Sequence, residues 1–554
     1  MRRVLGRAVR WMRRRRRAHA RWGPLPRACA AGALIASGVP AATSAQMARG
    51  NVPAPPAIAG VAIERQSVFD SAETTRWYAR LANRLHVTTR QHVVERELLF
   101  RQGEPLDSAR LAETERNLRA LRIFRNVSVG SLAGDSGADV RVVTRDAWTT
   151  KLSVKVGVTG DQYMLGASAT ESNLFGRGLE FGFAYRSDPD RINNQLWFKA
   201  PRVIAGRARV AAGINLMSDG ERGMAELVLP FFSLRSRRAG GVSGELSDGQ
   251  VLRFRNGSPD PSERLRRVFA VARANVGRAV RTSDDGYLRL ILDGQIRRDD
   301  FVADSAAETI PRTVTGAFQL TADARRARYI TTRYFLGNGG PEDVDLSDGA
   351  QVALSLAPQA FGYEQGGVGS VLAAGVGKSF RGGFAQLRAR ANGLFAGGGL
   401  DSGSVAASGM AVLQPAPRHV AVLHLWGAQR DDPYPGQEYD LGLARGPRAF
   451  AAHAFTGDRA YFGMAEYRWV ALPDVMGLAS LGVAGFVERG GAWFSGSPRR
   501  GGTDAGVGIR LGSIRASSGR PATRIDIARR FPNDAEPGAW VLVLGSGYPF
   551  QNLW

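Results

Sequence analysis

An alternation of apolar and polar side chains runs through the chain after residue 149 and constrains its fold more than any other feature. The alternation is clearest in 267–276, 287–297 and 384–395. Because successive side chains of a strand point to opposite faces, each such segment is expected to form a strand with one apolar and one polar face. In 287–297, for example, Leu288, Leu290, Leu292 and Ile296 alternate with Arg289, Asp293, Gln295 and Arg297.

This alternation occurs both in soluble β-sandwiches, whose apolar faces meet inside, and in transmembrane β-barrels, whose apolar faces meet lipid. Small outward residues and a preceding export signal favour the barrel. No later segment offers about 18 uncharged apolar residues for a spanning helix. We therefore predict a mainly β chain, with a closed transmembrane antiparallel β-barrel over residues 149–554. Aromatic residues recur near the predicted strand ends, as in membrane-interface girdles, at Trp197, Trp426, Tyr461, Trp469 and Trp540.

The first 45 residues have the composition of a secretory signal. They hold eleven Arg and no Asp or Glu, and the uncharged stretch 28–45 follows the basic part. We predict a signal peptide over residues 1–45, cleaved after Ala45, and a Pro-containing linker over residues 46–58. The uncharged stretch is too short for a stable membrane anchor. A start at Met12 and export by the twin-arginine route are alternatives.

Charge and cysteine content bear on partners and compartment. The net charge of +24 falls to 24 − 11 = +13 without the signal, and the remaining excess forms no basic stripe. Nucleic acid is therefore not expected as a partner. The single cysteine, Cys29, lies inside the signal, so the mature chain has no thiol, which suits an oxidising compartment.

Residues 59–148 are predicted to form one small α+β domain with the element order β-α-α-β-β. Apolar residues at helical spacing indicate the two helices, and short runs of Val indicate the strands. An Asp before the second helix is expected to cap it. The predicted elements are a strand within 61–69, a helix carrying Val93, Val94 and Leu98, a helix capped by Asp107 and carrying Leu111, Leu118 and Leu121, and strands at Val127–Val129 and Val140–Val143.

The motifs of this domain resemble the POTRA domain of the BamA/TamA-type outer-membrane family. The match covers Ile58–Trp148 and contains one such domain. The resemblance implies a bacterial outer-membrane barrel of about 16 strands and a periplasmic domain. It also implies that unfolded client polypeptides or periplasmic partner proteins bind that domain, for example at a sheet edge. A plug or spacer is the alternative. The matching motifs are Leu81-Ala82-Asn83-Arg84-Leu85-His86, Thr89-Arg90, Glu97-Leu98-Leu99-Phe100, Gly103-Glu104-Pro105-Leu106-Asp107, Glu115-Arg116-Asn117-Leu118-Arg119 and Thr144-Arg145-Asp146-Ala147-Trp148.

Later motifs also resemble this family. The segment 446–450, Gly-Pro-Arg-Ala-Phe, is similar to the tip of the family's long sixth extracellular loop, with Ala449 where the family usually has Gly. The resemblance implies that the loop folds back into the lumen, where its Arg pairs with acidic residues. Alternation puts Glu466 and Glu488 on the lumen face, so we predict a latch held by charge-assisted hydrogen bonds. Its residues are Arg448, Phe450, Glu466 and Glu488, with Arg445 as a second candidate for the loop Arg and ordinary lumen or loop charges as the alternative interpretation.

The last predicted strand, 540–547, contains two glycines and is followed by Pro549. Gly and Pro weaken a sheet ladder, because Gly adds no side-chain packing and Pro lacks an N–H donor. In the resembled family the seam between the first and last strands opens sideways, so we predict a lateral seam here. A terminal signal for the assembly machinery is the alternative. The seam residues are Leu152, Val154, Val156, Trp540, Leu542, Leu544, Gly545 and Gly547.

No nucleophile elbow, phosphate-binding loop or paired-carboxylate site stands out, and the six His are not spaced as metal ligands. We therefore expect a protein that is not an enzyme and has no cofactor or metal. The expected function is to insert or translocate polypeptides at the bacterial outer membrane, in contact with its lipid. The alternatives are a passive channel or surface antigen with the same fold, or a secretion partner for a single exported protein.

Overall fold

The computed structural model describes residues 55–134, 137–159, 162–203, 207–255, 257–303, 313–337, 340–443, 445–517, 519–533 and 536–546. The predicted signal peptide, the linker up to residue 54 and the seam residue Gly547 lie outside these ranges. Within them, no helix is long and apolar enough to span a bilayer.

The N-terminal domain is a three-stranded sheet packed against helices. Its strands lie in the order β1-β3-β2, with β1 parallel and β2 antiparallel to β3. Its elements are β1 (Ile58–Gln66), a 3₁₀ turn (Glu73–Thr75), α1 (Trp77–Leu85), α2 (Gln91–Glu95), α3 (Ser108–Ala120), β2 (Phe124–Gly134) and β3 (Gly137–Asp146). The core between sheet and helices is formed by Ile58, Val94, Leu111, Leu118, Phe124, Val127, Val140 and Val142, among others.

A side-chain cap marks the start of α3. The Asp107 carboxylate accepts the N–H groups of Ala109 at 3.0 Å and Arg110 at 3.3 Å, which caps α3 as expected. The helix expected around Val93 ends already at Glu95. Helix α1 is an additional element that the expected order β-α-α-β-β does not contain.

A closed antiparallel barrel of 20 strands fills the described part of the chain after residue 149, which confirms the predicted barrel. Its wall strands are β4 (Thr150–Thr159), β5 (Gln162–Leu174), β6 (Leu179–Ser187), β7 (Ile192–Ala200), β8 (Arg209–Met217), β9 (Gly220–Leu229), β10 (Arg238–Arg253), β11 (Glu263–Thr282), β12 (Gly286–Ala303), β13 (Thr313–Arg326), β16 (Asp348–Ala357), β17 (Gly367–Phe380), β18 (Gly383–Ala396), β19 (Gly399–Leu413), β20 (His419–Asp431), β23 (Arg459–Val475), β24 (Ala479–Trp493), β25 (Gly502–Ser513), β26 (Thr523–Arg530) and β27 (Ala539–Ser546). Four short strands lie apart from the wall: β14 (Tyr329–Thr332), β15 (Glu342–Asp345), β21 (Tyr439–Leu441) and β22 (Phe455–Gly457).

The expected number of about 16 strands is wrong. This number came from the resemblance, and the alternation could not correct it because some connections between strands are very short. Only Ser218 and Asp219 separate β8 from β9, and only Gly397 and Gly398 separate β18 from β19. Apolar and polar residues alternate on both sides of such short turns, so the pattern does not show where one strand ends and the next begins.

The outer face of the barrel is apolar. Leu246, Leu354 and Val507 are each exposed by about three fifths or more, and similar residues recur on most wall strands. In an antiparallel barrel this face suits lipid. Two residues expected in an aromatic girdle point the other way. Trp426 is buried in the lumen core, and the Trp197 Nε1–H donates to Glu180 at 2.9 Å on the inner side.

Two inserted segments pack together inside the lumen. We call the described residues of 329–345, which include β14 and β15, the plug hairpin, and the described residues of 432–458, which join β20 to β23, the latch loop. Phe335 and Leu346, in and beside the hairpin, share one buried cluster with Phe450 and Phe455 of the loop. Lumen-facing wall residues complete this core, including Phe384, Val412, Val420, Val422, Trp426, Phe462 and Met464.

The N-terminal domain is seated across one end of the barrel, which we call the proximal end. The Arg119 guanidinium forms two hydrogen bonds with Asp343 of the plug hairpin, of 2.7 and 2.9 Å. The Arg515 guanidinium does the same with Glu73, at 3.0 and 2.7 Å. The Leu234 N–H donates to Glu113 at 2.7 Å. Turns of several wall strands therefore hold the domain against the mouth of the lumen.

Candidate functional site

The latch loop enters the lumen from the distal end, opposite the N-terminal domain. It is the eighth connection at that end and not the sixth, because the barrel has 20 strands. The loop turns at Gly446, whose φ of +92° is in the left-handed region that favours glycine. Ala449 has no such φ, so a methyl group is tolerated at the tip where the resembled family has Gly.

Arg448 lies at the centre of the site, with a side chain only 1% exposed. Its Nη2 is 2.5 Å from Glu488 Oε1 and 3.5 Å from Glu466 Oε2, and its Nη1 is 2.6 Å from Asp526 Oδ2. Its own backbone N–H donates to Glu488 Oε2 at 3.0 Å. The guanidinium also lies over the Phe486 ring, 3.7 Å from the centroid. The structure thus brings Arg448, Glu466 and Glu488 together.

Wall residues extend these contacts into a network that we call the charge cluster. Arg510 lies 3.1 Å from Glu466 and 2.5 Å from Asp526, so it joins two of the acids that surround Arg448. The cluster holds four guanidinium groups and four carboxylates: Arg448, Arg468, Arg510, Arg524, Glu466, Glu488, Asp504 and Asp526. Ion pairs join seven of these groups, which stabilises their burial, whereas Asp504 enters the cluster by accepting the Ala449 N–H.

The two residues after Arg448 seat the loop tip against the wall. The Ala449 N–H donates to Asp504 at 2.9 Å. The Phe450 side chain is fully buried and packs on Phe455, with 5.1 Å between ring centroids. A Cβ at Gly502 would lie 2.1 Å from the Phe450 ring. The absence of a side chain at Gly502 therefore makes the space that Phe450 occupies.

Several site residues are not in the predicted latch. Asp504, Arg510, Arg524 and Asp526 lie on β25 and β26 and join the charge cluster. Gly490 and Gly502 make room for the loop, since a Cβ at Gly490 would lie 2.8 Å from Pro447. The signal that could have found the charged residues is their alternation with outward Val507, Ile509 and Ile527.

The barrel closes between its last and first strands through a thin seam. Among the described residues, which stop at Ser546, β27 and β4 are in register at only two positions, Val543 with Gly157 and Leu544 with Val156. The other neighbouring wall strands are in register over eight residue pairs or more. The predicted seam residues Leu152, Val154, Trp540 and Leu542 all point outward and are more than half exposed.

The latch loop bridges this seam from the inside. On the first-strand side, Leu443 packs on Gly157, where a Cβ would lie 2.7 Å from its Cδ1, and the Ala452 N–H donates to Gln162 at 2.8 Å. On the last-strand side, Ala449 packs in one buried cluster with Val541 and Val543 of β27. Loop docking and seam closure are therefore physically joined.

A second contact fixes the loop near the distal mouth. The His453 ring lies between two carboxylates, with Nδ1 2.8 Å from Asp440 and Nε2 2.9 Å from Asp190. It stacks on Phe254 with 3.4 Å between ring centroids. Burial lowers the pKa of His453, but its hydrogen bonds and the charges of Asp190 and Asp440 raise that pKa further, to about 9. An imidazolium therefore ties the latch loop to the β6–β7 connection through Asp190, while Asp440 belongs to the latch loop itself.

Most ionisable groups of the site are held in ion pairs. Within the described residues, no group of three or more His, Cys, Asp or Glu side chains is arranged to hold a metal ion. Arg448 lies among the acids that could otherwise attract a cation. The arrangement is suited to holding a loop in place.

No protein-family model matches the chain, and no curated protein matches it. Among solved structures, the chain is similar to CdiB from Escherichia coli at 12% identity and a TM-score of 0.43, over 91% of this chain and 93% of that one. It is similar to BamA from Haemophilus ducreyi lacking POTRA domains 1–3 at 12% identity and a TM-score of 0.36, over 89% and 84%. It is similar to the FrpB iron transporter from Neisseria meningitidis (F3-3 variant) at 8% identity and a TM-score of 0.38, over 77% and 87%. Identities and TM-scores this low assign neither a family nor a function.

Proposed function

We propose that the protein is a bacterial outer-membrane barrel that inserts or translocates polypeptides, using the seam between β27 and β4 as its moving part. The observation that carries this proposal is the seam itself, in register at two residue pairs and bridged from inside by the latch loop. Unpaired backbone groups on two strand edges can pair with an incoming strand.

The latch loop supports this role because the seam can open only when the loop leaves its place in the lumen. Arg448 is held by carboxylates of β24 and β26, strands close to the seam. Leaving such a buried pair incomplete costs about 3 to 5 kcal/mol, so the closed state is favoured until the loop moves as a unit. The loop and plug hairpin fill part of the lumen, which disfavours an open passive channel.

We propose that the N-terminal domain is a periplasmic POTRA domain that receives client or partner polypeptides. Its topology supports this, since β2 is an edge strand of the sheet in the described chain and carries the exposed Leu132. A client strand added to β2 would gain main-chain hydrogen bonds. The domain already contacts the turn between β25 and β26, and β26 is the neighbour of the seam strand β27.

A disulfide across the seam tests the proposal. Val156→Cys and Leu544→Cys, in a Cys29→Ser background, place two thiols on paired residues of an antiparallel ladder, at a spacing that a disulfide can bridge. In cells with this variant as their only copy, we expect client handling to fail and reductant to restore it. The matched control is Ile509→Cys with Ile525→Cys, which crosslinks β25 to β26 at an outward pair and leaves the seam free.

The readouts separate the possible functions. A fall in other outer-membrane barrels indicates insertion, and loss of one secreted polypeptide with unchanged barrels indicates export. If the seam disulfide forms and neither readout changes, the proposal is wrong. A change in permeability alone would support a passive channel.

A further inference from the structure

Large apolar side chains are exposed on one side of the N-terminal domain. Four of the domain's five exposed large hydrophobic residues lie in 77–87. Trp77, Leu81 and Leu85 of α1 are four residues apart and therefore share one helix face, and Val87 follows the helix. The opposite face packs into the domain through Ala79 and Ala82. A soluble domain rarely leaves such a face without a partner.

This face continues into two turns of the barrel wall. At the start of α1, the Tyr78 hydroxyl and the Arg76 guanidinium donate to the Met476 carbonyl, at 2.6 and 2.7 Å. Beyond its end, the Arg90 N–H donates to the Gly176 carbonyl at 2.8 Å, next to Phe175. We call the six residues Trp77, Leu81, Leu85, Val87, Phe175 and Met476 the apolar row.

The two turn residues are presented in a similar way. Met476 and Phe175 are 69% and 63% exposed, and both have a φ of +57°. A left-handed backbone is unfavourable for residues with side chains and persists where the surroundings enforce it. The turns join β23 to β24 and β5 to β6, which lie on either side of the seam. The apolar row thus extends past the proximal end of the seam.

Basic residues border the apolar row. Arg80 and Arg84 are exposed on α1, and Arg177 is exposed beside Phe175. Apolar residues with Trp on one face and Arg at its border are typical of helices that lie in a membrane interface, where the Arg heads reach lipid phosphates. A partner protein would have to fit a surface that is continuous with the lipid-facing wall.

We propose that the apolar row inserts into the lipid headgroup and acyl boundary at the proximal end, with Arg80, Arg84 and Arg177 on anionic lipid phosphates. This inference rests on the proposed placement of the barrel in a membrane. It makes α1 a lipid anchor that holds the N-terminal domain beside the seam.

Site-specific quenching tests the anchor in the full chain. In a Cys29→Ser background, Leu81→Cys or Leu85→Cys carries an environment-sensitive fluorophore, in vesicles of phosphatidylethanolamine and phosphatidylglycerol. A nitroxide on the upper acyl chain should quench both probes. Leu132→Cys is the aqueous control, because Leu132 lies far from α1. Leu132 pairs with Asp139 near one end of β3, whereas His86, which follows α1, contacts Asp146 at the other end. Leu354→Cys, on the outer barrel face, is the membrane control.

The controls distinguish failure of the anchor from failure of the membrane placement. If Leu354 is quenched while Leu81 and Leu85 behave like Leu132, the anchor is wrong and the barrel placement stands. If Leu354 is not quenched, the placement itself fails. Arg80→Glu with Arg84→Glu should weaken quenching at Leu81 in phosphatidylglycerol vesicles. The probes could instead escape quenching by lipid and become shielded from water when an unfolded polypeptide or a second copy of this chain is added. That result would assign the apolar row to a protein partner and overturn the proposal.

Discussion

A buried guanidinium needs hydrogen-bond acceptors for its five N–H donors and negative charges close to its positive charge. Arg448 finds them on three strands, since Glu466, Glu488 and Asp526 belong to β23, β24 and β26. The same geometry makes the residue hard to replace. Lysine has no planar fork and could not reach the three carboxylates in the same way.

Arg448→Ala should therefore destabilise the docked loop by about 3 to 5 kcal/mol, because three buried carboxylates lose a partner. We expect less folded barrel, measured as the heat-modifiable fraction on unheated gels, and faster proteolysis of 432–458. Arg445→Ala, in the same loop but exposed, is the matched control. Equal mobility and protease resistance in the two variants would contradict a latch role.

His453 gives the latch loop a dependence on pH. Its pKa in the folded protein, about 9, is above the unfolded value of 6.5, so its contribution is complete below pH 6.5 and is lost as the pH rises through 9. Proteolysis of the loop should accelerate between about pH 7 and pH 10 in the wild type. His453→Gln should be sensitive at every pH and lack this transition. An identical pH profile in both proteins would exclude His453 as the cause.

At the scale of elements, the plug hairpin links the N-terminal domain to the charge cluster. Arg119 of α3 holds Asp343 of the hairpin, and the Arg468 guanidinium donates to the Phe335 carbonyl at 2.6 Å. Arg468 in turn pairs with Glu466 at 2.8 Å. A displacement of α3 therefore acts directly on the hairpin, and through it on the wall of the latch.

Arg119→Met should loosen the hairpin, because Asp343 loses its bidentate partner. We expect faster cleavage of 329–345 by a protease added at the proximal end of the reconstituted protein. Arg110→Met is the control on the same helix, since Arg110 pairs with the half-exposed Glu104 inside the domain. Equal cleavage of 329–345 in the wild type and in Arg119→Met would reject this tie.

The predictability of the elements follows from what their residues contact. Wall strands are predictable because lipid and lumen impose alternation on them, as in Leu288, Leu290 and Leu292. The plug hairpin is not, because its role depends on what it packs against, and Phe335 and Val344 are buried by distant lumen residues such as Phe384. Helix α1 has a helical signal at Trp77, Leu81 and Leu85, but the expected elements contain no helix there.

The site was predictable in the same partial way. The alternation within each strand is enough to place Glu466 and Glu488 on the lumen face. Asp504 and Asp526 need knowledge of which strands lie next to the loop tip, and that depends on the register and curvature of the whole barrel. The space that Gly502 leaves for Phe450 is visible only once the loop is docked.

At the scale of the whole molecule, the partly filled lumen predicts poor conductance. The plug hairpin enters from one end and the latch loop from the other, and they share a core. In planar bilayers we expect small, infrequent channel openings from the wild type. Deleting 329–345 should raise conductance. A wide, steady pore in the wild type would show that these segments do not obstruct the lumen.

The charge cluster also has a consequence for the order in which the barrel is made. Of the charge cluster, strands β23 to β26 carry the four carboxylates and three of the four guanidinium groups, and Arg448 supplies the fourth from a loop that precedes them in the chain. In a nascent barrel that lacks β26, Arg448 has no Asp526 to pair with, so its set of carboxylate partners is incomplete. The loop can therefore dock with all of its ion pairs only after β26 has joined the wall.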